Sequence, residues 1–198
     1  MLDWLKLKRD YPDFWKIYLL KFETKSPRFV VLNIETSGHD MEKDVILSIS
    51  TFAVVEGTIL INDSFEAILL QYVYNHDNSI SNAYIIESTK MKLTEQQAVQ
   101  QLVENIQNAV IIGYDINFTL DMINMVLEKM HCGKLKNEAL DIQIMFRKWK
   151  DDNNHQFSLN EMCSYFKIPK NEDDDLCSGN AYAIALLFLK LKSRLGIH

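Results

Sequence analysis

The chain has 198 residues, 47% of them hydrophobic and 24% charged, which suffices for one well-buried domain and excludes a disordered or fibrous chain. With a mean hydropathy of −0.12 and no apolar run of bilayer length, it does not read as a membrane-spanning protein. Its formal net charge of −6 repels a polyanion at long range and weighs against a broad, sequence-independent nucleic-acid face.

In chain order, Lys6, Lys8, Arg9 and Asp10 stand where an export signal needs an uninterrupted apolar core, so the expected compartment is the cytoplasm. Tyr11 to Thr24 reads as a helix, with Pro12 in its first turn and Phe14, Tyr18 and Phe22 at i, i+4 and i+8. That aromatic face either packs on the domain or docks a protein partner, and packing is the commoner use of such a stripe. Ser26-Pro27 ends the helix. Residues 1–27 are therefore expected to form an N-terminal helical extension and residues 28–198 a single domain.

Phe29 to Gly38, Phe-Val-Val-Leu-Asn-Ile-Glu-Thr-Ser-Gly, opens with a β-branched apolar run that suits a strand buried on both faces. Asn33 and Glu35, two apart, point to the same side near its end. Asp44–Val55 and Thr58–Leu70 follow as two strands around a hairpin signal at Glu56-Gly57. Tyr72 to Thr89 has no clear period and is expected to be a loop carrying at most a short helix. Thr94 is placed to cap a helix over Glu95–Gln107, Ala109–Gly113 is a short buried strand, and Phe118–Met130 an amphipathic helix.

Leu140-Asp141 leads from a short strand into a further helix, and Lys150–Gln156 is an exposed loop. Ser158 with Glu161 three residues on forms a capping box for Leu159–Phe166, which Ile168-Pro169 stops. Lys170–Ser178, with four acids from Glu172 to Asp175, reads as a loop, and the last helix runs from about Gly179 to Leu195. Strand-helix alternation after a meander gives an α/β domain with a mixed central sheet and helices on both faces. Cys132, Cys163 and Cys177 lack a Cys-x-x-Cys pair and read as reduced thiols. His39, His76, His131, His155 and His198 have no ligand spacing.

Three separated runs carry a resemblance. Asn33-Ile34-Glu35-Thr36-Ser37-Gly38, Ile112-Gly113-Tyr114-Asp115-Ile116-Asn117-Phe118-Thr119 and Asp175-Leu176-Cys177-Ser178-Gly179-Asn180-Ala181 fall in the order and context of the three motifs of the DEDDh 3′-to-5′ exonucleases. The chain is similar to that family, including the proofreading (epsilon) subunit of bacterial DNA polymerase III, over about residues 28–194. The resemblance implies a ribonuclease H-like fold and a two-metal site for phosphodiester hydrolysis. It also implies that Glu35 is a retained metal ligand, that Asn33, Thr119 and Asn180 replace three metal-binding aspartates, and that Asp175 replaces the general-base histidine.

Those replacements bear on activity. Two divalent ions about 3.5 to 4 Å apart need several carboxylates to offset their repulsion, and an aspartate with its ordinary pKa of about 3.9 is a poor proton acceptor at neutral pH. The expected function is an exonuclease-like protein that has lost hydrolysis and keeps single-stranded nucleic-acid or protein-partner binding, with no cofactor and no membrane association. The competing expectation is an active enzyme using Mg²⁺ or Mn²⁺ on an unusual set, Glu35, Asp175 and Asp115. Asp121, about 200° around its helix from Thr119, should face away. In the first case Asn33 and Asn180 hydrogen-bond each other or nearby backbone, and Thr119 caps its helix.

Overall fold

The computed structural model describes residues 10–70, 89–169 and 176–197. The order is α1 (Asp13–Leu20), a 3₁₀ turn (Lys21–Glu23), β1 (Phe29–Thr36), β2 (Ile46–Val55), β3 (Thr58–Leu70), β4 (Lys92–Thr94) and α2 (Glu95–Ile106). It continues with β5 (Val110–Gly113), α3 (Ile116–Lys129), β6 (Ala139–Asp141), α4 (Ile142–Lys150), α5 (Leu159–Phe166) and α6 (Leu176–Leu195). The six strands form one sheet in the order β4-β3-β2-β1-β5-β6.

β1, β2 and β3 form an antiparallel meander, while β5 lies parallel to β1, β6 parallel to β5 and β4 parallel to β3. The β2–β3 turn places Glu56 (φ 49°) and Gly57 (φ 76°) in the left-handed region, the backbone pair that matches the twist of a tight hairpin. Val30 and Leu32 face a cluster with Trp15 of α1, Leu102 of α2 and Ile123 of α3. Val31 faces the opposite cluster, with Phe146 of α4, Met162 of α5 and Phe188 of α6. Helices thus cover both faces, and each fully buried aliphatic side chain of β1 contributes about 1.5 to 3 kcal/mol.

Some expectations move. The first helix is shorter than Tyr11–Thr24, because Lys21–Glu23 tightens into the 3₁₀ turn. Trp15 and Tyr18 are its buried residues, and Phe14 and Phe22 are only partly covered. Trp15 and Tyr18 stack with ring centroids 4.6 Å apart, and the Tyr18 ring meets Phe22 edge-on at 5.0 Å. The Tyr18 hydroxyl donates to Asn137 Oδ1 and accepts from the Lys136 N–H, both at 2.7 Å.

β4 is additional: three residues cannot display a period of two. α3 begins at Ile116 and α6 at Leu176, each earlier than its periodicity suggested. Both capping boxes form, Thr94 with Gln97 and Ser158 with Glu161. Most of Tyr72–Thr89, and the acidic run Glu172–Asp175, lie outside the described residues. No helix among the described residues is long and apolar enough to cross a membrane.

Candidate functional site

Because β1, β5 and β6 are mutually parallel, their C-terminal ends lie along one edge, which is where open α/β sheets carry their sites. Asn33 and Glu35 project from β1 on the same side as Val31, toward the face that α6 covers. The β1–β2 register skips Leu47, since Glu35 pairs with Ser48 and Thr36 with Ile46. A bulge at this place bends the strand end and re-aims its side chains.

Beyond the bulge, Ser37–Val45 is fastened by Asp44. Its Oδ1 accepts from the Ser37 hydroxyl at 2.7 Å and its Oδ2 from the Asp40 N–H at 2.8 Å. Those donors, the Ser37 hydroxyl first, hold the Asp44 carboxyl below its usual range. A Cβ on Gly38 would lie 2.4 Å from Asp44 Oδ2, so a larger residue there would displace the carboxylate that fastens this loop. Gly113 is similarly constrained at the end of β5, where a Cβ would stand 3.1 Å from the Leu32 carbonyl oxygen.

The first turn of α6 meets the end of β1. Asn33 Nδ2 donates to the Cys177 carbonyl at 3.2 Å and lies 3.4 Å from Glu35 Oε1, while Asn180 Nδ2 lies 3.3 Å from that same oxygen. The Cys177 thiol donates to the Asn33 carbonyl at 3.5 Å. The two carboxamides therefore converge on one carboxylate oxygen instead of bonding each other. The orientation of Asn33 is fixed independently: its NH₂ faces a backbone carbonyl, which can only accept. Both contacts with Glu35 are at the long end for N–H···O bonds. Cys177 is fully buried, and burial pushes its thiol up to about 12.

The remaining motif positions are placed as follows. Thr119 lies in the first turn of α3, which packs on the opposite face of the sheet; it is buried, at 5% exposure. It does not cap the helix. Residue Asp115 takes the N-cap position in left-handed backbone (φ 50°), and its side chain makes no cap bond. Asp141 performs that service, because its Oδ2 accepts from the Ile116 N–H at 2.9 Å while its Oδ1 accepts from Gln143 and Ile144 at the head of α4. Asp121 is exposed and lines a separate cavity with Met41 and Glu128. Asp175 lies outside the described residues.

The donor set gives a direct test of fit for Mg²⁺ or Mn²⁺. Hard cations require oxygen acceptors, yet Asn33 and Asn180 turn hydrogen-bond donors toward the single carboxylate. Among the described residues no three His, Cys, Asp or Glu side chains converge as metal ligands. The described residues do not fit the paired ions that the motif resemblance implies. The motif runs already marked Asn33, Glu35 and Asn180. The parts played by Cys177 and Asp141 were missed, although Cys177 stands three residues before Asn180 and so shares its helix face.

No family model and no curated protein sequence matches the chain. Among solved structures, the chain is similar to cell-death related nuclease 4 (CRN-4) with a TM-score of 0.65 at 10% identity, covering 86% of this chain and 64% of that one. Exonuclease I of E. coli in complex with a dT13 oligonucleotide gives 0.65 at 12%, covering 86% and 42%. Pop2p of S. pombe in its Mg²⁺- and Mn²⁺-bound form gives 0.62 at 12%, covering 92% and 88%. The chain thus spans less than two thirds of the length of CRN-4 and of exonuclease I. The likeness is one of architecture: the chain has the mixed-sheet, ribonuclease H-like fold of these structures.

Proposed function

We propose that this protein binds single-stranded nucleic acid at the C-terminal edge of its sheet without hydrolysing it, an exonuclease fold of the DEDDh, polymerase III epsilon-like kind turned into a binding module. The observation that carries the reading is the pair of carboxamides on Glu35 Oε1, at 3.4 and 3.3 Å. Two N–H donors occupy the side of the carboxylate that a divalent ion would need, and they compensate its charge without a metal. The neighbours with bound oligonucleotide or bound Mg²⁺ and Mn²⁺ support the choice of ligand class and the contrast in chemistry.

The test uses one labelled single strand in two assays. Fluorescence anisotropy in EDTA is expected to show salt-sensitive binding, and incubation with Mn²⁺ is expected to leave the strand at full length. Shortened products that disappear in Glu35→Ala would overturn the reading in favour of an active 3′-to-5′ exonuclease with non-standard ligands. Absence of salt-sensitive binding would instead leave a protein partner as the ligand.

A further inference from the structure

A polar cavity of about 360 Å³ opens at the ends of β5 and β6, one strand away from Glu35. Its size falls in the range of small-molecule sites. From α4 it is lined by Gln143 and Arg147, one turn apart on one helix face, and from the β5–α3 junction by Tyr114, Asp115 and Asn117. Gln156 closes it from the loop before α5. Gln143 and Tyr114 are bonded to each other and to the Phe157 carbonyl, and three observations mark the groups in the cavity that are unspent.

The Arg147 guanidinium gives Nη2 to the Asn153 carbonyl, but its Nε is buried from solvent with no hydrogen-bond partner among the described residues. Arg147 thus lines the cavity as a permanent, incompletely satisfied cation, the kind of group that pairs with phosphate. Asp115 is the second case: Asp141 takes over the capping of α3, so the exposed Asp115 carboxylate is left without a structural task. Asp141, in contrast, accepts three N–H bonds and is spent. Third, the amides of Asn117 and Gln156 are exposed at the rim.

Arg147 of α4 and Asp115 of the β5–α3 junction therefore give the cavity one cationic and one anionic group, beside the neutral amides of Asn117 and Gln156. We infer that it is a mononucleotide subsite of the strand-binding edge. Arg147 takes the phosphate and Asp115 takes the amino group of a base that presents one, such as guanine or cytosine, with discrimination against uracil. The inference rests on the strand-binding reading above. It adds the specificity that the Glu35 site, with its donors already committed, lacks.

Isothermal titration of the full chain in EDTA with 5′-GMP, 5′-UMP, guanosine and inorganic phosphate tests it. The expected result is 5′-GMP binding at least tenfold more tightly than any of the other three. Arg147→Gln should weaken 5′-GMP at least tenfold and leave guanosine unchanged, and Asp115→Asn should remove the preference over 5′-UMP. Equal affinity for 5′-GMP and phosphate, no 5′-GMP binding at millimolar concentration, or an unchanged Arg147→Gln variant would overturn the inference. The wild-type panel decides alone if a variant fails to fold. If a labelled strand binds and mononucleotides do not, this inference fails and the strand-binding reading stands; if 5′-GMP binds and the strand does not, the pocket stands and that reading fails.

Discussion

Position 33 shows how little chemistry separates a metal ligand from its opposite. An aspartate there would present two anionic oxygens, whereas Asn33 presents an NH₂ whose direction the Cys177 carbonyl dictates. Asn180 repeats the exchange across the cleft. Restoring both acids, as Asn33→Asp with Asn180→Asp, would place three carboxylates where one now stands among donors. Repulsion raises the folded-state pKa values of such a group above the ordinary carboxylate value. The double variant should match the native protein near pH 4, where its acids are protonated, and lose stability as pH rises, falling about 1 to 2 kcal/mol below it at pH 7. Urea denaturation at the two pH values reads this, and Mn²⁺ should narrow the gap at pH 7.

Cys177 adds a second pH signature on the alkaline side. Its thiol is held neutral up to about 12 by burial, whereas in the unfolded chain it ionises near 8.5. The folded state therefore keeps a proton that the unfolded state releases, and this contribution to stability is whole below about pH 8.5 and declines above it. A thiol reagent at pH 8 should leave Cys177 unmodified in the native protein and label it once urea unfolds the chain. Labelling at the rate of an open thiol would contradict the packing of α6 on β1.

At the scale of elements, Asp141 joins more of the site than its own helix explains. It caps α4 and also serves Ile116 of α3, whose own N-cap, Asp115, sits in left-handed backbone and accepts no cap bond with its side chain. Asp141→Ala removes acceptors for three N–H groups at two helix ends. It should destabilise by about 2 to 4 kcal/mol, more than the roughly 1 kcal/mol of a single lost cap, and Asp141→Asn should recover part of that. Equilibrium urea unfolding measures the difference; a loss near 1 kcal/mol would mean that α3 holds its end without help.

Elements were legible where local chemistry and periodicity agree. The β-branched run of β1, the Glu56-Gly57 hairpin and the boxes headed by Thr94 and Ser158 all state their structure in a few residues. β4 was not legible, because Lys92–Thr94 owes its existence to pairing with β3. The start of α3 at Ile116, ahead of the Phe118 its periodicity suggests, was hidden because the acceptor for its first N–H is Asp141, 25 residues further on. The convergence of Asn33 and Asn180 on Glu35 joins residues nearly 150 apart in the chain and depends on the tilt of α6 against β1, which no local pattern encodes.

For the molecule as a whole, the apolar clusters on the two faces of the sheet account for the fold, and neither includes Asn33, Glu35 or Asn180. The architecture can therefore persist while the motif positions change, which is how a chain only 10 to 12% identical to CRN-4, exonuclease I and Pop2p keeps their layout. A net charge of −6 adds no attraction for a polyanion, so the strand binding proposed for the sheet edge rests on placed groups such as Arg147. The most direct measurement of the whole account is anomalous diffraction at the manganese edge from crystals grown in Mn²⁺. The account predicts no anomalous peak beside Glu35, with both carboxamides still turned toward Oε1. A pair of peaks there about 3.5 to 4 Å apart, ligated by Glu35, would contradict it.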